Sequence, residues 1–261
     1  VDLMNHFAGM NETGAGFVTP PDSDVAAGPA YVIHTTNSAS PGTTAAQGFE
    51  ILTKDGQPVV EESINEFFQS VYNPGDLTTD PRVVFNNNNN QFLVVLQESD
   101  AAGNSYLDYA LSNDANPLDG FQFFQLNVTE VGGAQTPDKG DQLFADYPTL
   151  GFNAGGFFVT LNMFDNNNGF DHVQIISLTS SGTAYSNDRP FQQDFTLDPV
   201  RWHTSTDANV EWFVENDVSE FQTDIGGTLR FVQMTNPFST SPTYTDSTVT
   251  VPPFVDASVT S

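Results

Sequence analysis

Asp80-Pro81-Arg82-Val83-Val84-Phe85-Asn86, a further run of asparagines, and then Gln91-Phe92-Leu93-Val94-Val95-Leu96-Gln97 form the stretch on which the fold turns. It reads as strand, tight polar turn, strand: β-branched and aromatic residues flanking a turn-forming cluster. The second strand is apolar at every position from Phe92 to Leu96. Such a strand needs protein packed on both of its faces. A simple sandwich leaves one face in water and shows cleaner alternation. In a chain with few helix signals, the remaining solution is a set of sheets stacked against neighbouring sheets, as in the blades of a propeller.

The same unit recurs. Asp146-Tyr147-Pro148-Thr149-Leu150-Gly151-Phe152-Asn153 leads through Ala154-Gly155-Gly156 into the apolar run Phe157–Leu161. An earlier copy runs from Pro21-Asp22-Ser23-Asp24 through Gly28-Pro29 into Tyr31-Val32-Ile33-His34-Thr35. A more degraded copy begins at Asp198-Pro199-Val200-Arg201-Trp202 and continues into Val210-Glu211-Trp212-Phe213-Val214. The first aromatic of each second strand (Tyr31, Phe92, Phe157, Trp212) recurs at spacings of 61, 65 and 55 residues. That suits a four-stranded blade with generous loops, slightly above the roughly 40 to 50 residues of compact propeller repeats. Later strands fill each interval, for example Tyr106–Leu111 and Phe121–Leu126. The expected fold is therefore an all-β propeller with four recognisable four-stranded blades. These are expected to be part of a larger ring, with a closed four-bladed ring as the alternative. Residues 1–19 read as a lead segment, 20–239 as the blades, and 240–261 as an outer strand or a linker to further blades. The best helix signal, Glu61–Phe68, is about two turns at most, with Ile64, Phe67 and Phe68 on one face.

The chain carries 33 acidic and 6 basic residues, a formal net charge of −27. A surface of that sign repels nucleic acid and anionic lipid. It suits divalent cations, cationic partners or a salty medium. No cysteine is present, so disulfides and thiolate metal sites are excluded. No apolar run approaches the roughly 18 to 20 residues of a membrane-spanning helix.

Several segments resemble a group of bacterial exported proteins with a sialidase-like, Asp-box type β-propeller. They are Pro20-Pro21-Asp22 with Gly28-Pro29, Asp80–Phe85, Ala145–Gly151 running on to Asn162-Met163-Phe164, and Tyr109–Asp114 with Pro117–Phe121. The likeness covers about residues 20–180. Ser112-Asn113-Asp114 followed by Gly120 and Phe123 is similar to a stretched Asp-box, a structural turn between outer strands. The resemblance implies a secreted or cell-surface protein and, because the group is largely uncharacterised, leaves activity open.

Sialidase chemistry needs converging arginines, and the chain has only Arg82, Arg189, Arg201 and Arg230. Scarcity of the bidentate carboxylate partner weighs against anionic sugars. Paired carboxylates for other glycoside hydrolysis carry no specificity among so many acids. The four histidines lack metal-ligand spacing, and no nucleophile elbow, P-loop or dinucleotide fingerprint occurs. A candidate calcium site is Asp165, Asn167, Gly169 and Asp171, short oxygen-bearing groups around a glycine turn; a solvated turn is the plain alternative. Asp24, Asp80, Asp146 and Asp198, each opening an inner strand, are expected either to ring the channel rim or to cap their own turns. The functional expectation is an exported non-catalytic module for surface adhesion, assembly or ligand binding, stabilised by calcium. Its partners would be protein or carbohydrate at a cell surface, or further copies of itself. A carbohydrate-active hydrolase or lyase, and a structural subunit of an extracellular filament or coat, are the alternatives.

Overall fold

The computed structural model describes residues 9–10, 19–38, 48–131, 142–165, 169–189, 195–216 and 225–255. Strands dominate and fall into four antiparallel up-and-down sheets. The first holds β1 (Asp24–Ala27), β2 (Tyr31–Thr35), β3 (Phe49–Thr53) and β4 (Pro58–Glu62). The single turn α1 (Ile64–Phe67) follows, closed by a capping box between Ser63 and Glu66. The second sheet holds β5 (Leu77–Asn86), β6 (Gln91–Ser99), β7 (Ser105–Ser112) and β8 (Phe121–Asn127). The short β9 (Glu130–Val131) then pairs with the start of β10 (Gln142–Phe152), followed by β11 (Gly156–Phe164), β12 (Phe170–Thr179) and β13 (Ala184–Arg189). The fourth comprises β14 (Asp198–Pro199), β15 (Val210–Asn216), β16 (Ile225–Thr235) and β17 (Thr243–Val255). Residues Thr243–Val255 form the outermost strand of the fourth sheet.

The sheets stack face to face, and the continuous apolar strands show why. Phe92, Val94 and Leu96 of β6 pack on Ile33, Phe49 and Ile51 of the first sheet. Their neighbours Leu93 and Val95 point the other way, onto Phe157, Val159 and Leu161 of β11. Phe158, on the opposite side of β11, meets Phe213, Val232 and Met234 of the fourth sheet. Each such side chain removed from water contributes about 1.5–3 kcal/mol, so a strand buried on two faces serves two interfaces at once. The chain is a β-propeller whose blades are these four sheets.

The inner strands β1, β5, β10 and β14 lie side by side in that order. Among the described residues, no packing of that extent joins β14 to β1. The Phe-Asn pairs end the inner strands for a specific reason. Asn86 is fully buried and donates from Nδ2 to Asn153 O (2.9 Å) and Gly156 O (3.2 Å) of the next blade. Asn153 repeats the link, donating to Val210 O of the blade after it (2.7 Å). Glycine marks the closest seam: a Cβ on Gly151 would stand 2.6–2.7 Å from Pro199 atoms of β14. The segment Lys54–Gln57 forms the β3–β4 hairpin, with Gly56 at φ 76°. Residues 113–120 join β7 to β8, the two outer strands of the second blade.

Two carboxyls, Asp108 and Glu211, are fully buried with no hydrogen bond from the described residues to either oxygen. Glu98 is fully buried and accepts from Asn73 N, Asn73 Nδ2 and Gln125 Nε2 at 3.0–3.2 Å. Asp108, on the same face and equally buried, accepts no hydrogen bond. Burial, and then Glu98 beside it, push its carboxyl up to about 8. Glu211 on β15 is fully buried too, and burial pushes it up to about 9. A protonated Asp108 can donate to Glu98, which an ionised one cannot.

Two outcomes follow from this packing. Gly151→Ala should lower unfolding stability by about 1–3 kcal/mol in chemical denaturation. Gly227→Ala, whose added Cβ meets only Val251 O at 3.9 Å, should not; equal effects would contradict the seam. The folded chain also holds protons on Asp108 and Glu211 that the unfolded chain releases near ordinary carboxyl values. Stability should therefore fall as pH rises from about 4 through 8 to 9. Asp108→Asn and Glu211→Gln should flatten that fall and melt several degrees above the parent at alkaline pH. Parallel melting profiles would show that these acids ionise freely.

Candidate functional site

Each inner strand carries a residue in the left-handed region, just ahead of β1 and β14 at Asp22 (φ 42°) and Thr196 (52°) and inside β5 and β10 at Asp80 (53°) and Tyr147 (55°). Such a conformation is tolerated by Asp, and is a real outlier for a β-branched Thr. Its recurrence in four sheets marks a built feature, each instance costing of order 1–3 kcal/mol. The ladder slips at the same place, between Thr79 and Arg82 in β5 and between Asp146 and Thr149 in β10. A bulge of this kind re-aims side chains. Two residues beyond each left-handed position stand Asp24, Arg82, Thr149 and Asp198. All four line one mouth of about 530 Å³ at the inner strands, together with Asp22, Tyr147 and Arg201.

The rim acids therefore fall into tiers rather than one ring. Asp24 and Asp198 occupy equivalent positions facing the mouth. Asp80 is the left-handed residue of its strand, and Asp146 lies one residue before its counterpart Tyr147. Counting back from the Phe-Asn pairs carries the right register: Asp80 and Tyr147 each stand five residues before Phe85 and Phe152. Matching aspartate to aspartate misses it by one.

On the first two blades the site is tightly stitched. Asp24 Oδ2 accepts from Val83 N across the blade boundary (3.0 Å) and Oδ1 from Val25 N (2.9 Å). Arg82 Nη1 donates to Asp22 O (2.8 Å), and its guanidinium lies 5.5 Å from the Tyr147 ring centre. Asn37 donates to Asp22 Oδ2 (2.8 Å) and accepts from Asp80 N (2.8 Å). Burial raises Asp22 above the ordinary carboxyl range, and the adjacent Asp80 raises it further, against Arg82 and Asn37.

On the other two blades the groups are freer. Burial, then repulsion from Asp80, raises Asp146. Asp198 opens to solvent in the mouth, yet crowding by protein strips enough water to raise it as well, against Thr149 and Arg201. Arg201 is anchored through Nε to Leu150 O (3.3 Å). Tyr147 leaves 45% of its surface exposed over the mouth. Sequence reasoning did not single out Tyr147, and its place before Pro148 gives no signal of its left-handed backbone, since proline favours extended backbone for the residue ahead of it.

The remaining candidates lie elsewhere. Only Arg82 and Arg201 reach the mouth; Arg189 and Arg230 instead hold Asp246 on β17, at 3.0 and 3.1 Å. Of the calcium candidates, Asn167 lies outside the described residues. Asp165 folds over its own turn, Oδ1 accepting from Gly169 N (2.7 Å) and its N–H donating to Gly169 O (2.9 Å). Asp171 Oδ1 lies 2.8 Å from His172 Nδ1. Among the described residues, no group of three or more His, Asp or Glu side chains is placed to hold a metal ion. No helix there is long and apolar enough to cross a membrane. His34 sits 2.8 Å from Glu50 Oε1, and His203 lies 2.7 Å from Asn87 Oδ1.

No family model matches the chain, and no curated protein matches it. Among solved structures, a thermostable family-43 glycoside hydrolase aligns with 91% of this chain and 92% of its own. The identity is 14% and the TM-score 0.24, a likeness too slight to carry an argument about activity.

Proposed function

We propose that the inner-strand mouth is a carbohydrate site and that the chain hydrolyses a glycosidic bond there. The observation that carries this reading is Asp198: a solvent-reached carboxyl, raised above its ordinary range, facing a mouth that also holds a second, firmly oriented carboxylate. Glycoside hydrolysis needs that division between a protonated acid and an ionised partner. Asp198 gives its proton to the leaving glycosidic oxygen as the bond to the anomeric carbon breaks. Water attacks that carbon and yields its proton to Asp24, whose two N–H donors hold it in place. The exposed Tyr147 ring offers a stacking face for a sugar, and Arg201 a donor for its hydroxyls. The site of action proposed is outside the cell.

A second reading keeps the mouth and removes the chemistry. Arg82 donates to the Asp22 backbone carbonyl, and Asp24 accepts from Val83 N, both across the blade boundary, while the Asp22 side chain is held by Asn37 of its own blade. That is also how a non-catalytic adhesion or assembly module would use them.

The test is release of reducing ends from a panel of neutral and acidic oligosaccharides. Asp198→Asn should lower kcat by about a hundredfold or more, the scale of general acid catalysis, with the melting temperature preserved. Full turnover by that variant would remove Asp198 from the mechanism. Binding to the panel without turnover by the parent chain would establish the non-catalytic reading.

A further inference from the structure

A second concavity lies away from the mouth, at the outer edge of the first two blades. It measures about 710 Å³ and is walled by β3, β4 and α1 on one side and by β8 with the preceding turn on the other. Its floor is aromatic. Phe67 stacks on Phe49 with ring centres 4.0 Å apart and meets Phe121 and Phe123 edge-on at 5.1 Å each. Leu118, 41% exposed on its one-turn helix, extends the apolar wall.

Two carboxylates stand at the rim of this floor, Glu62 and Glu66. Glu66 is partly satisfied, since Oε2 accepts from Ser63 N and Oγ at 3.1 Å. Glu62 accepts no side-chain hydrogen bond from the described residues. Burial, then repulsion from Glu66, raises it above the usual carboxyl range. Among the described residues, no Lys, Arg or His lines the cleft. The cleft therefore presents a partly buried carboxyl, Glu62, and a more exposed one, Glu66, above aromatic faces. An inorganic cation is a poor complement, because calcium wants six to eight oxygens and the rings supply none. A neutral apolar ligand leaves the paired charges uncompensated. A cation carrying hydrocarbon satisfies both halves, through ion pairing at the rim and cation–π and apolar contact on the floor.

We propose that this cleft binds an aliphatic primary amine, with the ammonium at Glu62 and Glu66 and the alkyl chain on Phe67, Phe121, Phe123 and Leu118. The site is independent of the mouth and of any hydrolysis there. The experiment is a methyl NMR titration of the intact chain, following Ile51, Val60 and Leu118. The probes are hexylammonium, hexanol and hexanoate at constant ionic strength. Hexylammonium should give saturable shifts confined to those methyls, with Kd at or below about 1 mM, a free energy near −4 kcal/mol. Hexanol should bind about tenfold more weakly, and hexanoate not at all. Glu62→Gln should bring the amine down to the affinity of hexanol while leaving hexanol unchanged. Leu118→Ala, on an exposed turn, should weaken both. Equal binding of amine and alcohol would reduce the cleft to an apolar groove. Shifts that never saturate and spread over the surface would reduce the effect to the general attraction of a chain of net charge −27. Either result overturns the proposal.

Discussion

A sheet whose strands are apolar on both faces must be covered twice, and every larger feature of this molecule follows from that requirement. β6 sends Phe92, Val94 and Leu96 toward the first sheet and Leu93 and Val95 toward the third. β11 divides in the same way between the second and fourth. Twist within each sheet and stacking between sheets then turn consecutive blades about a common line. Their first strands converge as a consequence, which is why residues far apart in sequence, Asp24 and Arg201 for instance, border one mouth.

Convergence brings backbones into closer quarters than ordinary strands allow, and the chain meets this in two ways. At Gly151 the side chain is simply absent, so that β14 can lie against β10. In each inner strand a left-handed residue, joined by a bulge in β5 and β10, re-aims the side chain two positions on into the mouth. Hydrogen bonds from Asn86 and Asn153 tie the second blade to the third and the third to the fourth. The same crowding removes water from Asp146 and Asp198, so the scaffold and the chemistry of its rim share a cause.

Much of the architecture was legible in the sequence because it is written in strand hydrophobicity. The runs 92–96 and 157–161 announce double-sided burial, and the Phe-Asn pairs announce the ends of inner strands. The rim was legible only in outline. Aspartates near each strand start are visible, but their register depends on a bulge, which follows from the backbone conformation of Asp80 and Tyr147 rather than from residue type. Arg82 and Arg201 look equivalent after Asp-Pro pairs, yet one lies two residues past a left-handed position and the other five. The outer cleft was not visible at all, since Glu62 and Phe123 meet through packing between two blades and share no local pattern.

The blades are arranged radially, with inner strands close together and outer strands splayed apart. Because the chain has no cysteine, paired spin labels report this directly by electron–electron distance measurement. Labels at Ser23→Cys and Tyr147→Cys, across the mouth, should be close. Labels at Val59→Cys and Ser186→Cys, on the outer strands of the same two blades, should be much farther apart. Similar separations for the two pairs, as two facing layers or one continuous sheet would produce, contradict the account.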